Sequence, residues 1–266
     1  MSLATKLRYV GFCGIDDSVS AELLILISQR YSFVEWGVLF RSDLEGTPRY
    51  ASTTFLNRLN ALRKEYNSSI HLAGHFCNDR CREILAGDYN FATKIHKEWG
   101  FNRIQINATA ANGVNTDPSL FPTYAQNILI SATALPSVEW IIQLNTETQA
   151  IWNLLIANTI PSNISVLFDA SCGKGIAIQD LPAPDTYHNI PCGYAGGIGP
   201  RNITTILQAV DRVVTVENAA KPVWVVMESS LRTTVIKDTT SNSTDDIFDL
   251  NKCMACIDMA IQLGVK

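Results

Sequence analysis

Tyr194–Ile203 reads YAGGIGPRNI. An apolar run ends in two adjacent glycines, a Gly-Pro turn follows, and Asn202 stands at the threshold of a segment whose apolar residues recur at helical steps. One strand–loop–helix unit says little by itself, so its repetition decides the fold. Short β-branched apolar runs occur at Leu7–Cys13, Phe33–Phe40, Ser69–Phe76, Asn102–Ala108, Val138–Asn145, Asn163–Ala170, Asn189–Ala195 and Pro222–Ser229. Between them lie helical patterns such as SAELLILISQ, TTFLNRLNALRKEY, DRCREILAG and RNITTILQAVDRV.

Successive runs start roughly 25 to 36 residues apart, about what a strand, a helix and two short loops consume. Eight such units in 266 residues predict one α/β domain over residues 1–266, a single closed (β/α)₈ barrel. An open doubly wound sheet has the same alternation. The count of eight and the lack of a Gly-x-Gly-x-x-Gly turn after the first run favour closure. Two segments read as loops: TAANGVNTDPSLFPT (Thr109–Thr123) after strand four, and the polar KDTTSNSTDD (Lys237–Asp246), taken as mobile, after strand eight.

Apolar residues at 47% against 17% charged belong to a globular chain, and a net charge of -4 disfavours nucleic acid or an anionic membrane as partner. The first residues carry no apolar signal region, and no run approaches a membrane span, so a cytoplasmic protein is expected. Seven cysteines, an odd and scattered set, read as free thiols. His75, Cys77 and Cys81 with Cys253 and Cys256 could in principle bind zinc, but the last two fall on a helical pattern where buried thiols are ordinary. Trp36, Trp140, Trp152 and Trp224 lie in apolar runs and are expected in the core.

In such a barrel the ligand site forms where the strands end. Strand one ends in Cys13, with Asp16 and Asp17 just beyond. Arg41 and Arg49 follow strand two, and strand three ends near His75. Strands four and five end in Asn107 and Asn145, strand six in Asp169, and strand eight in Glu228, Ser229 and Ser230. Gly196 and Gly197, beside a helix start at Asn202, would offer backbone N–H groups to an anion, with a hydroxyl from Ser229 or Ser230. The same glycines would also suit a turn that needs positive φ. Gly173 and Gly175 form a second pair, around Lys174.

Five elements in this order resemble phosphoribosylanthranilate isomerases: FCG (Phe12–Gly14), TPRY (Thr47–Tyr50), VLFDAS with its Gly-rich loop (from Val166), AGGIGPRNI (Ala195–Ile203) and ESS (Glu228–Ser230). The resemblance implies a phosphate-binding barrel of the ribulose-phosphate type that performs an Amadori rearrangement in tryptophan biosynthesis, with neither metal nor organic cofactor and a small phosphorylated molecule as partner. It implies Cys13 as general base, Asp169 as general acid and Arg49 on the substrate carboxylate. The resemblance also implies phosphate contacts at Gly196, Gly197 and Ser229; His75 and Asn107 are expected to add substrate contacts, and Gly173, Gly175 and Ser230 further phosphate contacts. Acid–base chemistry of this kind needs the Asp169 pKa raised and the Cys13 pKa lowered, the latter by Arg49 or a helix dipole.

The chain departs from the family pattern at three places. Gly11 stands where the family has Lys, QIN ends in Asn107 rather than His, and Met227–Leu231 replaces Asp-x-Ser-Ser-Gly. Glu228 is thereby expected to repel a phosphate unless it points away. Other readings of the same residues are a phosphosugar epimerase or lyase using His75 and Asp169, and a non-catalytic phosphosugar-binding barrel.

Overall fold

The computed structural model describes residues 3–169, 181–184, 190–215, 222–238 and 243–266. Eight strands close into one parallel barrel in sequence order: β1 (Leu7–Cys13), β2 (Val34–Phe40), β3 (His71–Phe76), β4 (Arg103–Ile106), β5 (Glu139–Leu144), β6 (Ile164–Phe168), β7 (Cys192–Tyr194) and β8 (Val223–Met227). Each lies within a run read from the sequence. Register closes the ring through Val10↔Val34 on one side of β1 and Phe12↔Met227 on the other. Outside it lie α1 (Leu3–Lys6), α2 (Ala21–Arg30), α3 (Thr53–Glu65), α4 (Asn78–Leu85), α5 (Asn90–Trp99), α6 (Phe121–Ala134), α7 (Gln149–Ile156), α8 (Ile203–Val213) and α9 (Leu250–Gln262). Local chemistry sets several ends. Ser20 and Ser52 cap α2 and α3 by accepting the Leu23 and Phe55 N–H groups, and Gly100 ends α5 at φ 78°.

Strand side chains alternate between two hydrophobic regions. The larger packs the barrel wall against the helices and holds Trp36, Trp140 and Trp152, each fully buried. The smaller fills the barrel, with Tyr9, Ile141, Leu167, Val226 and Trp224 among its members. Trp224 crosses the interior because β7 yields: a Cβ on Gly193 would sit 2.1 Å from its ring. Gly37 makes room in the same way, since a Cβ there would lie 2.9 Å from both Cys13 Cα and His75 Nε2.

At the amino-terminal end the barrel is stoppered by charge. Arg103 donates to both oxygens of Glu35 at 2.6 and 2.7 Å and to Glu139 at 3.0 Å, and its guanidinium lies 4.3 Å from the Trp224 ring centroid. A buried pair of this kind is expensive to break, because the partner left behind is an unpaired charge.

Two expectations are corrected. Of the stretch Lys237–Asp246 read as a mobile loop, both ends are strand, because β9 (Arg232–Asp238) and β10 (Ser243–Phe248) pair antiparallel between β8 and α9, while residues 239–242 lie outside the described residues. The loop after β4 is also shorter and more ordered than read. It holds 3-10 turns at Ala110–Asn112 and Pro118–Leu120, and α6 already begins at Phe121. Among the described residues no helix is long and apolar enough to cross a membrane.

Candidate active site

The strands end around a cavity of about 350 Å³. Cys13, Arg49, His75, Asn107 and Asp169 all line it, as do Gly196, Gly197 and Ser229. Sequence-distant residues thus meet at one mouth. Ser230 does not line the cavity. Its hydroxyl donates to the Ile198 carbonyl at 2.5 Å and ties the β8 end to the β7 loop. Gly173 and Gly175 lie outside the described residues.

The β7 loop has the positive φ angles read for its glycines. Gly196 and Gly197 have φ of 106° and 57°, which side chains rarely tolerate. Asn202 does not cap α8 with its side chain. Its Oδ1 instead accepts from Gly199 N at 2.9 Å, and its Nδ2 donates to Gly197 O at 3.0 Å. Among the described residues the N–H groups of Gly196, Gly197 and Ile198 donate to no protein acceptor, so the loop holds a set of unpaired donors at the cavity.

Cys13 contradicts the shift that a base would need. Burial raises its pKa well above the ordinary thiol value, the negative charge of Glu228 raises it further, and the Gly14 N–H pulls only weakly the other way. Arg49 does not supply the expected lowering, because its guanidinium is committed elsewhere: Nε donates to Asp246 Oδ2 at 3.1 Å and Nη1 reaches Glu228 Oε1 at 3.4 Å. Cys77, a second buried thiol in the cavity wall, is pushed up to about 12 by burial. Both are neutral thiols near pH 7.

Burial and the nearby Arg103 charge lower the His75 pKa to about 3, so the ring is neutral at physiological pH. Asn107 is held from both sides, accepting from Gln105 Nε2 at 2.6 Å and donating to Cys77 Sγ at 3.4 Å. Asp169 accepts from Gln143 Nε2 at 2.6 Å. The other end of that amide, Gln143 Oε1, is a buried acceptor with no partner among the described residues.

Glu228 does not point away. It lines the cavity with 39% of its side chain open, and Cγ lies 3.6 Å from where a Cβ on Gly14 would be. Burial raises its pKa, Arg49 and Arg232 pull it back, and Asp169 raises it again.

A relay behind Arg49 escaped sequence reading. Arg49 is a non-glycine residue at φ 78°, and its N–H donates to Asp16 Oδ2 at 2.6 Å. The same oxygen meets Arg232 Nη1 at 2.8 Å, and Arg232 Nε donates to Asp246 Oδ1 at 3.1 Å. The hairpin therefore braces both the backbone and the guanidinium of Arg49. Asp16 was visible as an acidic residue beyond β1, but Arg232 and Asp246 carry no local signal. Asn145, by contrast, turns from the cavity to accept the Glu147 and Thr148 N–H groups. Among the described residues no cluster of three His, Cys, Asp or Glu side chains has the arrangement to hold a metal.

Fold and cavity together define a (β/α)₈ barrel with a polar pocket at its carboxyl-terminal mouth. No family model matches the sequence, and neither does any curated protein. Among solved structures the chain is similar to a monomeric form of the dimeric phosphoribosylanthranilate isomerase of Thermotoga maritima. The identity is 14% and the TM-score 0.51, over 96% of this chain and 99% of that one. A D-allulose 3-epimerase from a Methylomonas species follows at 12% identity and TM-score 0.48, covering 99% and 100%. A glycoside hydrolase family 113 β-1,4-mannanase has 8% identity and TM-score 0.42, covering 99% and 84%. At these identities the likeness is one of fold.

Proposed function

We propose that this barrel catalyses an Amadori-type aldose–ketose isomerisation of a phosphorylated sugar conjugate by acid–base chemistry. The observation that carries the reading is convergence: Asp169, Arg49, the unpaired N–H groups of the Gly196–Gly197 loop and the polar corner where β1 meets β8 share one cavity. The phosphate would lie against the loop amides and Ser229, the repulsion of the neighbouring Glu228 carboxylate offset by Arg232, with Arg49 facing an anionic group on the aglycone. Asp169 in its acid form would protonate the ring oxygen, the C1–O bond would break, and the nitrogen lone pair would form the C1=N iminium. A base would then take the C2 proton, the C–H electrons would become the C1=C2 bond of an enolamine, and tautomerisation would give the ketone.

Incubation with N-(5-phosphoribosyl)anthranilate, followed by loss of its fluorescence, tests the narrow form. Turnover that Asp169→Asn reduces at least a hundredfold supports it. Binding without turnover would instead favour a non-catalytic phosphosugar-binding barrel. Turnover of other sugar phosphates alone would favour an epimerase or lyase.

A further inference from the structure

We infer that the group taking the C2 proton is Glu228, at the end of β8, rather than the neighbouring Cys13. The inference rests on the isomerase reading and names the base within it. The last register pair between β1 and β8 is Phe12↔Met227, so Cys13 and Glu228 are the next residues on the two adjoining strands and share one corner of the cavity. Of the two, only Glu228 presents itself: 39% of its side chain is open, whereas Cys13 is 1% exposed.

The chemistry of the corner agrees with the geometry. A base must be ionised before reaction, and Cys13 is held neutral by burial and by the Glu228 charge itself. Glu228 faces Arg49 from the loop after β2, Arg232 from β9, Asp169 from β6 and the thiol of Cys13 from β1. Burial raises its pKa and so strengthens it as a base, Arg49 and Arg232 pull the other way, and the Asp169 charge, present once ring opening has taken its proton, raises it again.

Arg49 adds a condition. Its Nε is fixed on Asp246, and its longer contact, 3.4 Å, is to Glu228. An anionic aglycone competing for that Nη1 frees the carboxylate from its cation, which makes it more basic only when substrate is present. In the step itself Glu228 accepts the C2 proton, the C–H electrons form the C1=C2 bond and the C=N electrons return to nitrogen; Glu228 then gives its proton to C1 while the C2 hydroxyl gives its own to the Asp169 carboxylate left by ring opening, so that the ketone forms and both groups regain their starting states. No oxidant or co-reactant is required.

The test measures isomerisation of N-(5-phosphoribosyl)anthranilate by wild type, Glu228→Gln, Glu228→Asp and Cys13→Ala, each checked for folding by thermal unfolding. Expected are a fall in kcat of at least a hundredfold for Glu228→Gln with KM changed severalfold at most, partial recovery in Glu228→Asp, and less than a tenfold loss for Cys13→Ala. The acid limb of the wild-type pH profile should disappear from the residual activity of Glu228→Gln. A folded Glu228→Gln that keeps a tenth of the activity overturns the inference and leaves the isomerase reading standing. A hundredfold loss in folded Cys13→Ala does the same, and decides the matter even where Glu228→Gln does not fold. A wild type that neither isomerises the conjugate nor exchanges the C1 protons of its ketone product with deuterated solvent removes both.

Discussion

Replacing His75 by Gln should flatten the acid side of the stability profile. In the folded barrel the imidazole has a pKa of about 3, against 6.5 for the ordinary side chain, because burial and the Arg103 charge disfavour its cation. The sign follows from proton uptake. As pH falls through 6.5 the unfolded chain binds a proton that the folded chain refuses, so stability drops from pH 6.5 downward until the folded ring also titrates near 3. At pH 4.5 the unfolded ring is charged and the folded one is still neutral. Two pH units then correspond to a loss of about 3 kcal/mol from this residue. Urea unfolding of wild type and His75→Gln at pH 7.5 and 4.5 isolates the effect, because the carboxylates common to both proteins cancel. Wild type should lose about 3 kcal/mol more than the variant between the two pH values. Parallel losses would show that His75 is charged in the folded state and that the neutral cavity wall described above is wrong.

Three further outcomes follow from packing and charge. Arg103→Ala leaves Glu35 buried without its cation and should cost about 3 to 5 kcal/mol in denaturant unfolding; a cost below about 1 kcal/mol would deny the amino-terminal stopper its role. Gly193→Ala places a methyl carbon 2.1 Å from the Trp224 ring and should destabilise by at least about 1 to 3 kcal/mol while changing the Trp fluorescence, whereas a neutral substitution would mean the ring has room to move. Arg232→Leu strips the cation from Asp16, whose side chain is 3% exposed, and should weaken anion binding at Arg49 along with stability. Inorganic phosphate or benzoate binding unchanged in that variant would separate the hairpin from the pocket.

Much of the barrel was legible because a parallel strand buried on both faces must be a short apolar run, and eight such runs stand out between amphipathic helices. The mouth was legible for the same reason: wherever a run closes, its last inward residue faces the pocket, as Cys13 and Asp169 do. The hairpin was not. Its sequence is polar and it packs outside the barrel, so no apolar alternation marks β9 and β10 against a loop. The Arg49–Asp246–Arg232–Asp16 relay joins residues far apart in the chain, which no local pattern can report. Glu35, Arg103 and Glu139 were hidden differently. Each resembles the charged edge of a strand meeting water, and only the closed ring brings the three together beneath Trp224. The direction of the Cys13 shift also depends on closure, since burial and the Glu228 charge follow from the strands around it.

In the proposed reaction the Gly196–Gly197 loop grips the phosphate of a sugar conjugate whose reacting carbons lie between Asp169 and the β1–β8 corner. Amide nitrogen–proton NMR spectra of the labelled protein, titrated with ribose 5-phosphate and separately with ribose, measure it directly. The phosphorylated sugar should saturably shift the Gly196, Gly197, Ile198 and Ser229 amides and ribose should leave them in place. Equal responses to both sugars, or shifts confined to amides away from this mouth, would contradict the claim.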